Sequence, residues 1–410
     1  MRVAFVDLIF SWPPNGGADT DLYQVMAGLQ QAGHQVHLFG VHELGSAERG
    51  LFEPLELPFP ATRIDCTHQE LSPSRGNLLP RLRKEVDAWR PDVVFVQHGY
   101  ALKPYVLETL AHHRTVSRYY AHELACARDP LRFREGAPCP NDFLRTTQVC
   151  RACALQHQRT AIKSGRFNTW TSDYLAAEAY APAYVARTRA ALRHVQAIVV
   201  SNQELKHHLD GLHENVWVIP GGVFLKDIPP PTETQSGRKV IFMPGRVDDP
   251  LKGLHVLLEA VDKLDQTRDD FEVWTTHFDH TLTTKRVKAL GWRTHAETLA
   301  LYEQADIVVV PSVWEEPFGL VAVEAMAAAK PVCASAVGGL KGIVRDGETG
   351  FLFPRGDSAA VAVLLDRLLA DPALRDTLGA AGRRVAEREY AWEVVIREHY
   401  EPLLESLMHG

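Results

Sequence analysis

The chain has 410 residues, of which 46% are apolar and 23% are charged, as in ordinary globular proteins. This length exceeds a single ordinary core and predicts two domains of roughly 200 residues each. Its 44 basic and 51 acidic residues give a formal charge of −7, which excludes a polyanion-binding field over the whole protein and argues against a nucleic-acid partner.

The first predicted element is a short strand, Arg2 to Phe10. It carries Asp7 and lacks a small-residue cleavage site, and no apolar run of the chain approaches the ~20 residues that cross a bilayer. We therefore expect a cytoplasmic protein with at most a peripheral membrane contact. In the loop that follows, Gly16 and Gly17 allow a positive φ or a close approach of backbone to a ligand.

Two later strands of the first domain end in histidines. The strand Pro91 to Gln97 ends at His98, and the strand Thr115 to Tyr120 ends at His122. An α/β sheet binds its ligands at the carboxyl ends of its strands, so both histidines are candidates for a site. A single histidine at such a position is nevertheless more often structural.

The segment 126–153 contains four of the six cysteines, which are Cys126, Cys139, Cys150 and Cys153. It ends in a Cys-x2-Cys pair, which we place in a turn of a loop without regular structure. Such a turn lets two thiolates hold one tetrahedral ion, and Zn²⁺ accepts two more. The segment predicts a structural zinc site just after His122, with a redox pair and four ordinary buried thiols as the alternatives.

A second domain is predicted from a second strand–loop–helix start at Lys239. The stretch before it, Asp227 to Gly237, has the Pro- and Ser/Thr-rich composition of a linker. The loop after the new strand carries Arg246 and Lys252. We expect doubly wound domains at residues 1–222, which include the cysteine-rich insertion, and at 223–385, followed by a C-terminal helix at 386–410.

The stretch from Ile307 to Gly350 predicts a strand, a loop, a helix, a strand and a Gly-Gly loop. The helix, Leu320 to Ala329, is apolar almost all round except for Glu324. A buried carboxylate without a partner is costly, so a polar group must meet Glu324. The helix start also predicts an anion site made of three backbone N–H groups, those of Phe318, Gly319 and Leu320.

Seven residues separate Glu316 from Glu324 within EPFGLVAVEAMA, and KPVCASAVGGL and DGETGFL follow in order. This stretch of roughly forty residues resembles the E-x7-E motif of retaining glycosyltransferases of family four (glycosyl transferases group 1), which have the GT-B fold. The resemblance covers the second domain well and the first thinly. Lys330 stands where the family often has glycine, and Leu340 follows Gly339 where it often has an acid.

The resemblance implies two doubly wound Rossmann-like domains with a cleft between them and a C-terminal helix that crosses back to the first. It implies an enzyme of the EC 2.4 class that transfers a sugar from a nucleotide-diphosphate sugar, with UDP and GDP both open, and with retention at the anomeric carbon. The acceptor would be a small molecule, a glycan or a lipid. No catalytic metal is expected, and no oligomeric state is indicated.

On the donor side the resemblance gives roles to residues of the second domain. Glu324 holds the ribose hydroxyls, and Glu316 orients the donor sugar. Arg246, Lys252 and the helix start at Gly319 stabilise the departing diphosphate, as a guanidinium fork and an ammonium suit a phosphate leaving group.

On the acceptor side the resemblance is weaker. Gly16 and Gly17 face the donor phosphates and the acceptor, and His122 lines the sugar side of the cleft. Glu123 stands where the family has aspartate. Two other classes of function stay open: another sugar-nucleotide chemistry of this fold, such as an epimerase or a phosphorylase, and a non-catalytic sugar-nucleotide sensor.

Overall fold

Two parallel β-sheets organise the chain, one in each of two structural units. The computed structural model describes residues 1–228 and 237–409. The first unit contains Met1–Arg134, Pro138–Pro220 and a C-terminal segment that begins at Ile396, and the second contains Glu135–Ala137 and Gly221–Val395. The division after Pro220 lies close to the expected boundary at residue 222. The predicted linker, Asp227 to Gly237, lies mostly outside the described residues.

Nine strands and seven helices make up the described part of the chain before Gly221. The strands are β1 (Arg2–Asp7), β2 (Gln35–Glu43), β3 (Ala61–Cys66), β4 (Val93–Val96), β5 (Thr115–Arg118), β6 (Phe133–Arg134), β7 (Ala137–Pro138), β8 (Ala197–Val200) and β9 (Val216–Val218). The helices are α1 (Gly17–Gln31), α2 (Leu78–Trp89), α3 (Lys103–Thr109), α4 (Thr147–Lys163), α5 (Thr169–Ala176), α6 (Pro182–His194) and α7 (Gln203–His207). Short 3₁₀ turns span Pro54–Glu56, His68–Leu71 and Tyr100–Leu102.

The second unit repeats the same alternation of strands and helices. Its strands are β10 (Lys239–Met243), β11 (Phe271–Thr275), β12 (Val287–Ala289), β13 (Ile307–Val310), β14 (Val332–Ser335) and β15 (Gly350–Phe353). Its helices are α8 (Leu254–Leu264), α9 (His295–Gln304), α10 (Leu320–Ala327), α11 (Leu340–Ile343), α12 (Ser358–Ala370), α13 (Pro372–Val385) and α14 (Trp392–Val395). The 3₁₀ turns are Leu225–Asp227, Pro250–Lys252 and His280–Leu282, and a π-helical turn spans Ala386–Tyr390.

In each sheet, successive strands are added first on one side of the starting strand and then on the other, so the strand order reverses at one point. The first sheet runs β3-β2-β1-β4-β5-β8-β9 and the second runs β12-β11-β10-β13-β14-β15, while β6 pairs only with β7. Strands β4, β5, β13 and β14 are buried along their whole length, as parallel strands covered on both faces are, and β4 and β13 are apolar throughout. Ligands of such sheets bind where the order reverses, beside the carboxyl ends of β1 and β4 and of β10 and β13.

The C-terminal segment divides between the units, and its contacts explain where. The N–H of Val223 donates to the carbonyl of Tyr390 (2.8 Å), and the N–H of Trp392 donates to the carbonyl of Val223 (3.1 Å), so these residues stay with the second unit. From Ile396 the chain packs on the first unit, where an added Cβ on Gly28 would lie 2.9 Å from the Ile396 side chain. The returning segment, a π-helical turn at Ile396–Tyr400 followed by α15 (Glu401–His409), therefore begins later than the expected residue 386.

The cysteine-rich segment is more regular than we expected. Cys150 and Cys153 lie on α4, so the prediction of a Cys-x2-Cys turn was wrong. The run Thr147–Lys163 contains neither glycine nor proline, and its alanine, glutamine and arginine residues favour a helix.

No helix in the described ranges has both the length and the apolar character that a bilayer span requires.

We expect Tyr400→Phe to lower the free energy of unfolding by about 1 to 3 kcal/mol, because a buried guanidinium N–H would lose its acceptor. Nη1 of Arg118 donates to the Tyr400 hydroxyl (2.9 Å), while Nη2 of Arg118 pairs with Asp21 (2.9 Å). Urea titration of the variant measures the loss. Tyr180→Phe, which changes an exposed ring, is the matched control, and an equal effect of both changes would contradict the role of the hydrogen bond.

Candidate functional site

The loop after β10 is fixed against the end of β13 by a glycine. Gly253 has φ +80°, and an added Cβ would lie 1.9 Å from the carbonyl oxygen of Pro311. The N–H of Val313 donates to the carbonyl of Leu251 (2.9 Å), which ties the same two loops together. Because only glycine permits this approach, Gly253 determines where the preceding Lys252 stands.

Lys252 and Glu316 form an ion pair at this point. Nζ of Lys252 lies 2.7 Å from Oε1 of Glu316, and the hydroxyl of Ser312 donates to the same oxygen (2.6 Å). Burial would raise the pKa of the Glu316 carboxyl, but the charge and hydrogen bond of Lys252, with the hydroxyl of Ser312, hold that pKa below its usual value. Glu316 is therefore ionised at neutral pH.

The Gly-Gly loop after β14 holds the backbone of Glu316. The N–H of Gly339 donates to the Glu316 carbonyl (2.7 Å), and the N–H of Gly338 donates to the carboxylate of Glu315 (2.6 Å). Gly338 has φ +44°, and an added Cβ would lie 2.2 Å from the Glu316 carbonyl oxygen. The loop that carries Glu316 is thus fixed from two sides, by β13 and by the Gly-Gly loop.

Helix α10 begins with backbone donors that have no partner among the described residues. Gly319 is its N-cap with φ +119°, a conformation that favours glycine. The N–H groups of Phe318, Gly319 and Leu320 donate no hydrogen bond to a described residue. Unpaired N–H groups at a helix start attract anions, so these three donors are available for the anion site, which stays a prediction.

Glu324 lies on α10 and is buried, as its apolar neighbours in sequence suggest. Nε2 of His295 lies 2.6 Å from Oε1 of Glu324, and the hydroxyl of Tyr302 donates to Oε2 (3.0 Å). Both partners stand on α9, whose start is fixed by a capping box between Thr294 and Glu297. The sequence showed that Glu324 needs a polar partner but gave no sign that it would be these two residues.

The contact between His295 and Glu324 also shifts the pKa of His295. Burial would lower the pKa of His295, but the hydrogen bond and charge of Glu324, with a smaller effect of Asp227, raise that pKa above its usual value. His295 is the first residue of α9, and about a third of its side chain remains exposed. It therefore stands on the open side of the carboxylate.

Arg246 shares the loop of Lys252 but does not reach the two carboxylates. Its side chain is exposed and forms no hydrogen bond or ion pair with the part of the chain that the structure describes. Gly245, which precedes it, has φ +102°, and its carbonyl accepts the hydroxyl of Thr276 (2.5 Å). The loop thus anchors its backbone and leaves the guanidinium exposed to solvent.

In the first unit, Gly16 and Gly17 stand at the start of α1, beside the carboxyl end of β1. Gly16 is extended (φ −170°) and Gly17 is helical, so neither glycine adopts the positive φ that was one of the two alternatives for this loop. An added Cβ on Gly17 would meet nothing within 4 Å, which leaves this helix start open to approach. Nearby, Asp19 accepts hydrogen bonds from the N–H groups of Ser11 (3.3 Å) and Asn15 (3.0 Å).

A buried acidic and histidine cluster occupies the same edge. Nδ1 and the backbone N–H of His98 both lie 3.2 Å from Oδ2 of Asp7, at the ends of β4 and β1. Burial would lower the pKa of His98, but Asp7 raises it. Burial raises the pKa of Asp19 to about 6. His98 is thus held by an acid at the end of its strand.

His122 is buried rather than open. Only 3% of it is exposed, and its ring lies 5.5 Å from that of His208. Glu123 turns back to accept hydrogen bonds from the N–H groups of Tyr120 (3.2 Å) and Ala121 (2.8 Å), and lies 3.8 Å from the buried Lys103. The carboxylate of Glu123 therefore stabilises the turn after β5.

The four cysteines of the insertion line one pocket of the first unit. All are free thiols of intermediate exposure. Within the described ranges no three of their sulfurs lie within 4.8 Å of one another. The structure brings the cysteines to one place without closing them around a common point.

Two family models match this chain. The model described as Glycosyltransferase Family 4 matches residues 15–226, which is more than half of the chain. The model described as Glycosyl transferases group 1 matches residues 226–385. The two matches meet at residue 226 and together span residues 15–385, which include every strand named above except β1.

Curated relatives agree in class. A phosphatidyl-myo-inositol mannosyltransferase of Mycobacterium leprae is 34% identical over 210 residues, which are 48% of this chain and 56% of the relative. A D-inositol 3-phosphate glycosyltransferase of Salinispora tropica is 44% identical over 115 residues, which are 28% of this chain and 23% of the relative. The chain thus spans about half the length, or less, of these relatives.

Solved structures resemble the whole chain. Sucrose-phosphate synthase from Thermosynechococcus elongatus has a TM-score of 0.67 at 20% identity, covering 100% of this chain and 99% of that one. Anabaena HepE in complex with UDP and glucose has a TM-score of 0.67 at 19% identity, covering 99% and 100%. At these identities the likeness concerns the fold, and it confirms the predicted GT-B architecture. The chain therefore belongs to the glycosyltransferase family that the two models describe, and it has the GT-B fold.

Proposed function

We propose that this enzyme transfers a sugar from a nucleotide-diphosphate sugar to a hydroxyl-bearing acceptor, with retention at the anomeric carbon. The observation that carries the proposal is the Lys252–Glu316 pair beside the unpaired N–H groups at the start of α10. A cation, a carboxylate and a helix start at the carboxyl edge of β10 and β13 suit a ligand that has both phosphates and hydroxyls.

The diphosphate would lie between Lys252 and the N-terminus of α10. Phosphate oxygens compete well with Glu316 for the ammonium, because a diphosphate offers more negative charge and several acceptors. Arg246, whose guanidinium is exposed, adds a second cation from the same loop. Charge grows on the leaving diphosphate as the sugar bond breaks, so these cations stabilise the transition state more than the ground state.

The nucleoside would be held by Glu324. A carboxylate accepts up to about four hydrogen bonds, and Glu324 receives one on each oxygen, from His295 and from Tyr302. It retains capacity for two ribose hydroxyls. Anabaena HepE, which shares the fold, forms a complex with UDP, and this supports a uridine nucleotide as the first donor to test.

The transfer step needs no nucleophile from the protein in this proposal. The bond between the anomeric carbon and the diphosphate oxygen breaks, and the acceptor oxygen bonds to the same face of the sugar. The acceptor proton passes to the departing phosphate oxygen. Glu316, freed from Lys252, orients the sugar through a hydroxyl.

The acceptor side is assigned to the first unit, with Gly16 and Gly17 at the open start of α1. The relatives include a phosphatidyl-myo-inositol mannosyltransferase and a D-inositol 3-phosphate glycosyltransferase, so phosphatidylinositol and inositol phosphate are the first acceptors to test. The open start of α1 and the cluster around Asp7 and His98 offer hydrogen-bond donors and acceptors, which suit a polyol.

We expect Glu324→Gln to weaken donor binding by very roughly 1.5 to 3 kcal/mol, because charge-assisted hydrogen bonds to the ribose are lost. The melting temperature should change little. Calorimetry with UDP and GDP, and with their sugars, measures the dissociation constants. Glu303→Gln, which alters an exposed carboxylate on α9, is the control. Unchanged donor affinity in the Glu324 variant would end its assignment.

We expect Lys252→Ala to reduce turnover more than donor affinity, because the ammonium matters most as the diphosphate departs. Release of nucleoside diphosphate in the presence and absence of acceptor measures turnover and separates transfer from the epimerase and sensor alternatives. Lys285→Ala removes an exposed lysine as the control. The anomeric configuration of the product, read by NMR, tests retention, and an inverted product would refute it.

We expect His295→Gln to lower the melting temperature more at pH 6 than at pH 8.5. The pKa of His295 is raised by Glu324 in the folded protein, so its stabilising effect is complete below the unfolded pKa of about 6.5 and is lost as pH rises through the folded value. Thermal denaturation across this range measures the difference. His255→Gln, an exposed histidine on α8, is the control, and a pH-independent loss would contradict the ion pair.

A further inference from the structure

The four cysteines of the insertion converge from three parts of the chain. Cys126 follows β5, Cys139 follows β7, and Cys150 and Cys153 stand three residues apart on α4. Residues at this spacing lie on the same face of a helix. All four line one pocket of about 40 Å³, which has room for a single ion.

Three of the four sulfurs have a polar group close by. Asn141 Nδ2 donates toward Cys139 (3.9 Å) and Arg134 Nη1 donates toward Cys153 (3.9 Å), while the Thr146 hydroxyl lies 3.5 Å from the sulfur of Cys150. Polar groups around the sulfurs are surroundings that can hold ligating thiolates in place.

The charge around the pocket has the sign that a tetrathiolate site requires. Four thiolates around a divalent cation leave a net negative charge, which must be balanced where water is scarce. Three arginines, Arg128, Arg132 and Arg134, line the pocket together with one acid, Asp129. The lining therefore carries an excess of positive charge.

We propose that Cys126, Cys139, Cys150 and Cys153 bind one structural Zn²⁺. Zinc–sulfur bonds of about 2.3 Å place neighbouring sulfurs about 3.8 Å apart in a tetrahedron. No three of the four sulfurs lie within 4.8 Å, so binding draws them inward, and staggered χ1 rotamers give each cysteine other positions for its sulfur. Binding also releases the thiol protons.

The ion would anchor onto α4 the segment that follows the turn after β5. The strands of that segment are short, since β6 and β7 contain two residues each. Cys126 lies four residues after His122, whose carbonyl accepts the N–H of Cys126 (2.9 Å). Zinc would thus hold the turn that carries His122 and Glu123 without taking part in donor binding.

Elemental analysis of the full chain, purified without added metal, is the first test, and we expect about one zinc per chain. Cys153→Ala should lower the zinc content by at least about tenfold, because a missing thiolate opens the site. Cys66→Ala, which changes a buried cysteine outside the insertion, should leave the zinc content unchanged.

A second measurement avoids the risk that a variant fails to fold. Unmodified protein prepared with Co²⁺ in place of zinc should show the visible absorption of a tetrahedral cobalt–thiolate centre, and a mercurial reagent should release the metal. A folded protein without metal, iron in place of zinc, or disulfides found by mass spectrometry among these four cysteines would each overturn the proposal.

Discussion

The close approach of Gly253 to the carbonyl of Pro311 is the constraint on which the donor-side geometry depends. Strands β10 and β13 are far apart in sequence but neighbours in the sheet, so their loops emerge side by side. The approach leaves no room for a Cβ, and it brings Lys252 within 2.7 Å of Glu316. Gly253 thus allows the two neighbouring loops to pack closely enough for Lys252 and Glu316 to form an ion pair.

Two buried carboxylates follow from this arrangement, and each is kept ionised or satisfied in its own way. Glu316 is paired with a cation, whereas Glu324 is met by a histidine and a tyrosine hydroxyl. An uncompensated buried carboxylate would cost several kcal/mol, so both partnerships stabilise the fold. In the proposed donor complex, phosphate competes with Glu316 for the ammonium, while Glu324 keeps both partners and accepts the ribose hydroxyls on its remaining lone pairs.

The sequence could predict what depends on short spacing. Seven intervening residues place Glu316 on a loop and Glu324 on the following helix, and the apolar run at Ile307–Val310 is the buried strand it suggested. The partners of Glu324 depend on the packing of another helix: His295 and Tyr302 lie 29 and 22 positions away in sequence. Tertiary packing decides such contacts, and no local pattern encodes them.

The prediction of a turn at Cys150 and Cys153 was wrong because two local signals conflicted. We predicted a turn because the spacing of the thiols suggested a metal-binding motif, while the propensity of the surrounding residues favoured a helix. The predicted grouping of the cysteines in one pocket nevertheless does not depend on that turn, since positions three apart on a helix share a face as well as positions in a turn do. The local conformation and the chemistry of a site are therefore separate predictions.

The two sheet edges differ in charge, and this difference bears on which ligand each can hold. At the edge of β10 and β13 stand Lys252, which is paired with Glu316, the exposed Arg246 and an open helix start. At the edge of β1 and β4 stand Asp7, Asp19 and His98, an acidic cluster around one histidine. A diphosphate at the edge of β1 and β4 would meet two buried acids and no exposed cation among these residues, whereas a neutral polyol would find both donors and acceptors there. The exposed arginine and the open helix start thus favour the edge of β10 and β13 for the proposed donor.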